Sequence, residues 1–149
     1  MIKIICVGKI KDSNLKSLID DYYKRITKYT SIQIIELKDE NENYDEMKKE
    51  SKEIENYLDS KSYNIALDRL GKNIDSINFS KLIDKTFISY PNINFIIGGS
   101  LGIDKSILDK CNIVLSFSSL TFPHQLFRLM LLEQIYRSFK ILNNERYHK

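Results

Sequence analysis

Short runs of apolar and β-branched residues recur along the chain, each followed by a stretch whose apolar positions are spaced for a helix. The runs Ile2 to Val7, Ile32 to Leu37, Tyr63 to Leu67, Ile93 to Ile97 and Ile113 to Phe117 have the length and composition of strands. Between them, Asn14 to Tyr29, Tyr44 to Leu58, Ser76 to Tyr90 and Asp104 to Asp109 carry helical spacing. Alternation of this kind predicts an α/β fold in which a mainly parallel sheet of five to six strands is flanked by helices. A last helix is predicted over His124 to Leu142, after Pro123. Its apolar residues, among them Leu126, Phe127, Leu129, Met130, Leu131, Ile135 and Phe139, occupy more than one face. Such a helix must be buried on more than one side. A small domain has little room to enclose it, so a homodimer interface is expected, with a single well-covered core helix as the alternative.

The length of 149 residues and the 42% hydrophobic content fit one domain spanning residues 1–149. No repeat, linker or low-complexity tract interrupts it. Cys6 and Cys111 are far apart in strand-like apolar runs, which suits buried thiols in a reducing cytosol and a cytoplasmic protein. Met1 to Val7 lacks the apolar core and cleavage site of a signal peptide. Thr86 to Ile103 carries no charge, yet Pro91, Asn92, Asn94, Gly98, Gly99 and Gly102 speak against a membrane span. The net charge of +3 conceals an asymmetry: Asp39 to Ser60 holds nine acidic and three basic residues, so the rest of the chain carries +9. That pattern fits a phosphate-rich partner on one face, with the acidic helix pointing elsewhere.

In an open α/β sheet, ligands sit outside the carboxyl ends of the strands. The segments after the third, fourth and fifth strands are the most unusual in the chain: Leu67-Asp68-Arg69-Leu70-Gly71-Lys72, Ile97-Gly98-Gly99-Ser100-Leu101-Gly102 and Ser116 to His124. Glycines between a strand and a helix make either a tight turn or a place where ligand meets bare backbone. Their spacing is not that of a dinucleotide fingerprint. It does match Gly-x-Ser-x-Gly, so a small hydrolase using Ser100 is a rival, with Asp104 or Asp109 as acid and His124 or His148 as base. The small sheet argues against that reading. The Ser116 to His124 loop can cap the last helix, or hold a flat adenine between apolar side chains and backbone amides. His124 and His148 with two distant cysteines give no metal-ligand spacing, so no metal is expected. The end of the chain, Arg146-Tyr147-His148-Lys149, is either a frayed tail or a docked one. Docked, it offers a stacking ring, a side chain that exchanges protons near neutral pH, and two phosphate-binding cations.

Taken together, Val7-Gly8-Lys9, Leu67-Asp68-x-x-Gly71-Lys72, Ile97-Gly98-Gly99-Ser100-x-Gly102, Leu115-Ser116-x-Ser118-x-x-Thr121-Phe122-Pro123-His124-Gln125 and Tyr147-His148-Lys149 resemble, in order and placement, the 23S rRNA pseudouridine N3-methyltransferase family. The resemblance spans the whole chain. It implies an α/β-knot fold of the SPOUT class with a C-terminal trefoil knot, and a homodimer built on the knot and the last helix. It implies S-adenosylmethionine as methyl donor, held by Leu67, by Gly98, Gly99 and Gly102, and by Phe117, Ser118, Ser119, Leu120, Thr121 and Phe122. The substrate implied is 23S rRNA of the ribosome, with His148 as the candidate base, Tyr147 as the residue that orients the target ring, and Arg128, Arg146 and Lys149 as RNA contacts. This chain looks slightly shorter than typical members around Asn41 to Lys49. A noncatalytic ribosome-binding module that keeps the fold is a further alternative.

Overall fold

A computed structural model describes residues 1–39 and 44–149. The chain forms β1 (Ile2–Val7), α1 (Ser13–Ile26), β2 (Ile32–Leu37), α2 (Tyr44–Glu55), β3 (Ser62–Asn73), α3 (Ser76–Ser89), β4 (Asn92–Ile97), α4 (Lys105–Leu108), β5 (Ile113–Ser116) and α5 (His124–Leu142). The strands form one five-stranded sheet in the order β2-β1-β4-β3-β5, with every pairing parallel. The expected shortening around Asn41 to Lys49 falls in part on residues 40–43, outside the described residues.

Strand periodicity sorts the side chains to two faces. Ile2, Ile4 and Cys6 of β1 and Ile93, Phe95 and Ile97 of β4 join Ile19 and Ile26 of α1, Phe79 and Ile83 of α3 and the inner face of α5 in the larger core. Their alternates Ile5, Ala66 and Ile96 face the other way, against Ile54 of α2 and Ile107 of α4. Helices therefore cover both faces, as a parallel sheet requires. Aspartates start three of the helices: Asp12, Asp75 and Asp104 each accept a backbone N–H of the first turn, at 2.8, 2.7 and 3.1 Å.

The structure departs from the sequence expectation at two places. The segment after Leu67 is not a free loop, because β3 runs on to Asn73 through a break in register: Leu67 and Lys72 both pair with Leu115 of β5. Residues 68–71 are thus thrown outward while the chain returns to the same strand. A methyl group on Gly71 would lie 2.8 Å from the Val114 and Leu115 backbone, so only glycine lets the return arm close. Secondly, α5 does find room inside its own domain. It lies against both α1 and α3, with Leu131, Leu132 and Ile135 fully buried and Tyr136 and Phe139 nearly so. The greasy sequence of α5 is mostly explained by burial on two sides, leaving Leu126 exposed and Leu129 and Met130 half-buried.

Candidate functional site

Because the five strands are parallel, their carboxyl ends share one edge of the sheet, and the arch of β3 and the segments leaving β4 and β5 converge there on a cavity of about 720 Å³. Leu67 to Leu70 form one wall, Ile97 to Ile103 the floor, and Phe117, Ser118 and Leu120 to His124 the opposite wall, with Phe127 behind them. The floor is a tight glycine turn. Gly102 N–H donates to the Gly99 carbonyl at 3.0 Å, and a methyl group on Gly98 would stand 2.4 Å from the Gly102 carbonyl oxygen. Gly102 has φ of +80° and nothing within 4 Å of where its side chain would be, so it presents bare backbone to open space. The walls are set by short local bonds: Asp68 Oδ1 accepts Leu70 N–H at 2.9 Å, Ser116 Oγ donates to the Ser118 carbonyl at 2.9 Å, and Ser118 Oγ accepts Leu120 N–H at 3.0 Å.

The structure thus gathers Leu67, Gly98, Gly99, Gly102, Phe117, Ser118, Leu120, Thr121 and Phe122 into one cavity, and leaves Ser119 exposed on the same loop, outside the lining. His124 lines it as well. Its Nε2 would lie 3.4 Å from a methyl group on Gly8, so the first turn of α5 is seated against the end of β1. The Ser100 hydrolase arrangement is not assembled: Ser100 and His124 share the cavity, but Asp104 is engaged with Ser106 at the start of α4, and neither it nor Asp109 lines the cavity.

Arg128 does not stand where an RNA contact must. Expected at an RNA surface, it is instead 1% exposed, its Nη1 2.7 Å from Glu36 Oε2 and its Nη2 donating to the Gly8 carbonyl at 2.9 Å. It straps α5 to the ends of β1 and β2. Arg146 and Lys149 are exposed, as RNA contacts require.

The terminal residues are docked. Tyr147 Oη donates to Glu133 Oε1 at 2.9 Å and lies 3.3 Å from Tyr22 Oη, and its ring packs edge-on against Tyr136 and under the Arg137 guanidinium. Burial, then the bonds to Tyr22 and Glu133, raises the Tyr147 phenol above its ordinary value. His148 Nδ1 is 3.1 Å from Arg137 Nη1, and Arg137 is itself bonded to Glu133. Glu133 and Arg137, which hold these terminal residues, are not singled out by the sequence motifs. Their spacing of four on α5 is the available signal. Arg137 lies thirteen positions along α5 from His124, or about 20 Å at 1.5 Å per residue, so within one chain the tail and the cavity stand apart. Beside the tail runs a second groove, of about 620 Å³, lined by Leu18, Tyr22, Ile74, Phe79, Met130 and Glu133 and sharing Phe117 with the cavity.

A family model described as "Predicted SPOUT methyltransferase" matches residues 1–148. The chain is 51% identical, over 99% of its own length and 99% of the relative's, to a protein from Malacoplasma penetrans named ribosomal RNA large subunit methyltransferase H. A protein of the same name from Clostridium botulinum is 48% identical with the same coverage. Among solved structures, a probable methylase family protein from Haemophilus influenzae aligns with a TM-score of 0.58 at 13% identity, over 99% of this chain and 70% of that one. A tRNA methyltransferase from Aquifex aeolicus gives 0.55 at 12%, over 91% and 69%. At such identities these two likenesses speak for the fold alone.

Proposed function

The chain belongs to the SPOUT methyltransferase family, and on that premise we propose that it transfers the methyl group of S-adenosylmethionine to N3 of a pseudouridine in 23S rRNA of the large ribosomal subunit. The observation that carries the reading is the convergence of three separate segments, Leu67 to Leu70, Gly98 to Gly102 and Phe117 to Phe122, on one cavity. Those segments are the ones the resemblance assigns to the donor, and the name of the close relatives supplies the substrate class.

The cavity suits the donor. Its volume lies in the range of small-molecule sites, its walls mix apolar side chains with exposed backbone amides, and the bare Gly102 backbone admits close approach. When bound, S-adenosylmethionine supplies a methyl group already activated on a sulfonium. The protein's share of the work is chiefly orientation, which brings reacting atoms to near-attack distance. Leu67, Leu120 and Phe122 would pack the donor's adenine, and the Gly98 to Gly102 backbone would hold its polar edges. His148 accepts the proton leaving N3, Tyr147 orients the target ring, and Arg146 and Lys149 bind phosphates.

Since tail and cavity stand apart within one chain, the reading includes a homodimer in which the tail of one protomer serves the cavity of the other. The apolar groove beside Tyr22 and Met130, next to the tail, supports that arrangement. It includes too the C-terminal knot that the resemblance implies. The protein acts where ribosomes are, in the cytoplasm, and among the described residues no helix is long and apolar enough to cross a membrane.

The test is transfer of radiolabelled methyl from S-adenosylmethionine to ribosomes from a strain lacking this protein, with nucleoside mass spectrometry of the large-subunit RNA. Label in N3-methylpseudouridine is the expected result. Donor binding without incorporation into any ribosomal fraction would overturn the substrate assignment.

A further inference from the structure

Two cation pairs stand on either side of the cavity mouth. Lys9 and Lys11 are exposed on the segment leaving β1, immediately after Gly8, which packs against His124 of the cavity wall. Arg69 is exposed on the outward arch of β3, and Lys72 is exposed where the arch returns to β5. β1 and β3 are the two neighbours of β4, whose glycine turn is the cavity floor, so the two pairs leave the sheet on opposite sides of β4.

Their chemical setting differs from that of the cations placed elsewhere. Arg25, Lys110, Arg128, Arg137 and Lys140 each hold a carboxylate: Asp21, Glu55, Glu36, Glu133 and Glu145 respectively. No ion pair among the described residues involves Lys9, Lys11, Arg69 or Lys72. The acids on the same two segments are turned to backbone amides instead, Asp12 to Leu15 and Asp68 to Leu70. Between the pairs, Leu70 and Leu101 of the cavity lining are 79% and 49% exposed. A phosphate gains nothing from leucine, whereas the face of a base does.

We infer that Lys9 and Lys11 on one side and Arg69 and Lys72 on the other hold the RNA phosphates flanking the target nucleotide, whose base enters the cavity between Leu70 and Leu101. The inference rests on the RNA-methylation reading above and adds to it the surface that meets RNA. A base must be out of its stack to enter a cavity, which points to single-stranded or looped RNA at the target. Phosphate contacts position the strand and carry the salt dependence, while the reaction depends on what enters the mouth.

The experiment compares the wild-type protein with Lys9→Gln/Lys11→Gln and with Lys72→Gln, none of which lines the cavity. Three quantities are read: donor affinity by calorimetry, cosedimentation with ribosomes across a potassium chloride series, and the sedimentation of the protein alone. Removing one phosphate-binding cation lowers the slope of log affinity against log salt by about 1. The double variant is expected to keep wild-type donor affinity and self-association, to bind ribosomes roughly tenfold more weakly at low salt, and to show a slope shallower by about 1 to 2. Lys72→Gln should shift in the same direction by about 1. A salt slope unchanged in both variants overturns the inference, even if the wild-type protein methylates ribosomes as proposed. Altered self-association with unchanged ribosome binding overturns it too, by giving the surface to a second copy. A wild-type protein that binds ribosomes with the expected slope but transfers no methyl would overturn the reaction and leave the surface standing.

Discussion

Arg128 Nη1 lies 2.7 Å from Glu36 Oε2, yet the two residues differ sharply in burial: the Arg128 side chain is 2% exposed and that of Glu36 35%. Removing the glutamate strands a buried cation, whereas removing the arginine leaves a carboxylate that water can reach and only the neutral Gly8 carbonyl without its donor. Glu36→Ala is therefore expected to destabilise the protein by about 3 kcal/mol, and Arg128→Met, which fills much of the same volume, by about 1 kcal/mol. Urea unfolding monitored by circular dichroism measures both. A larger loss for Arg128→Met would refute this account of the pair.

Gly98→Ala places a methyl group 2.4 Å from the Gly102 carbonyl oxygen, a backbone atom that cannot step aside without opening the turn. Donor affinity should fall at least tenfold, equivalent to about 1.4 kcal/mol, with a smaller loss of stability. Gly102→Ala meets no neighbour but must hold φ of +80°, at about 1 kcal/mol of strain. Isothermal titration calorimetry distinguishes them; equal donor affinity for wild type and Gly98→Ala would show that the turn is not part of the donor site.

His148→Ala should reduce methyl transfer at least a hundredfold, in line with the usual worth of a positioned base, while donor affinity stays within twofold. Tyr147→Phe loses the bonds to Glu133 and Tyr22 and keeps the ring packing on Tyr136. It should loosen the tail by about 1 kcal/mol and lower turnover less than His148→Ala does. Single-turnover kinetics with saturating donor reads these differences. Full activity of His148→Ala would remove the residue from the mechanism.

Burial pushes the Cys6 thiol up to about 12, against a smaller opposing pull from Arg128, and the Cys111 thiol up to about 11. A raised thiol value means that the folded protein keeps both sulfurs protonated through neutral pH, where the unfolded chain, titrating near 8.5, already forms some thiolate. Alkylation by a maleimide at pH 7.5 should be much slower in the folded protein than in urea, and should accelerate as the pH rises past 9. Cys111, which is half-buried, should react before Cys6. Rapid labelling of Cys6 under native conditions would contradict its burial.

Much of this architecture is legible in the residues. Ile2 to Val7, Ile32 to Leu37 and Ile93 to Ile97 declare strands through dense β-branched composition, and α5 is delimited by Pro123 and its apolar spacing. The three segments that meet at the cavity stand out because parallel strands must deliver their carboxyl ends to one edge. Periodicity reports that a side chain is buried, however, and not by what. It cannot tell whether α5 is covered by α1 and α3 or by another chain. Nor can it show Arg128 turning inward, since an arginine on a helix reads the same whether its partner is Glu36 or a phosphate. The continuation of β3 is hidden for a related reason: Asp68 and Gly71 carry turn chemistry, and the pairing that carries the strand past them depends on Leu115, more than forty positions away.

That distance bears on how the molecule is made. Leu115 must meet Leu67 and Lys72 together, so the arch closes only as β5 settles, and the wall of the cavity that follows β5 settles after that. Pairings so remote in sequence form slowly. The ability to bind the donor should therefore emerge with the last kinetic phase of refolding, after most helical signal has returned.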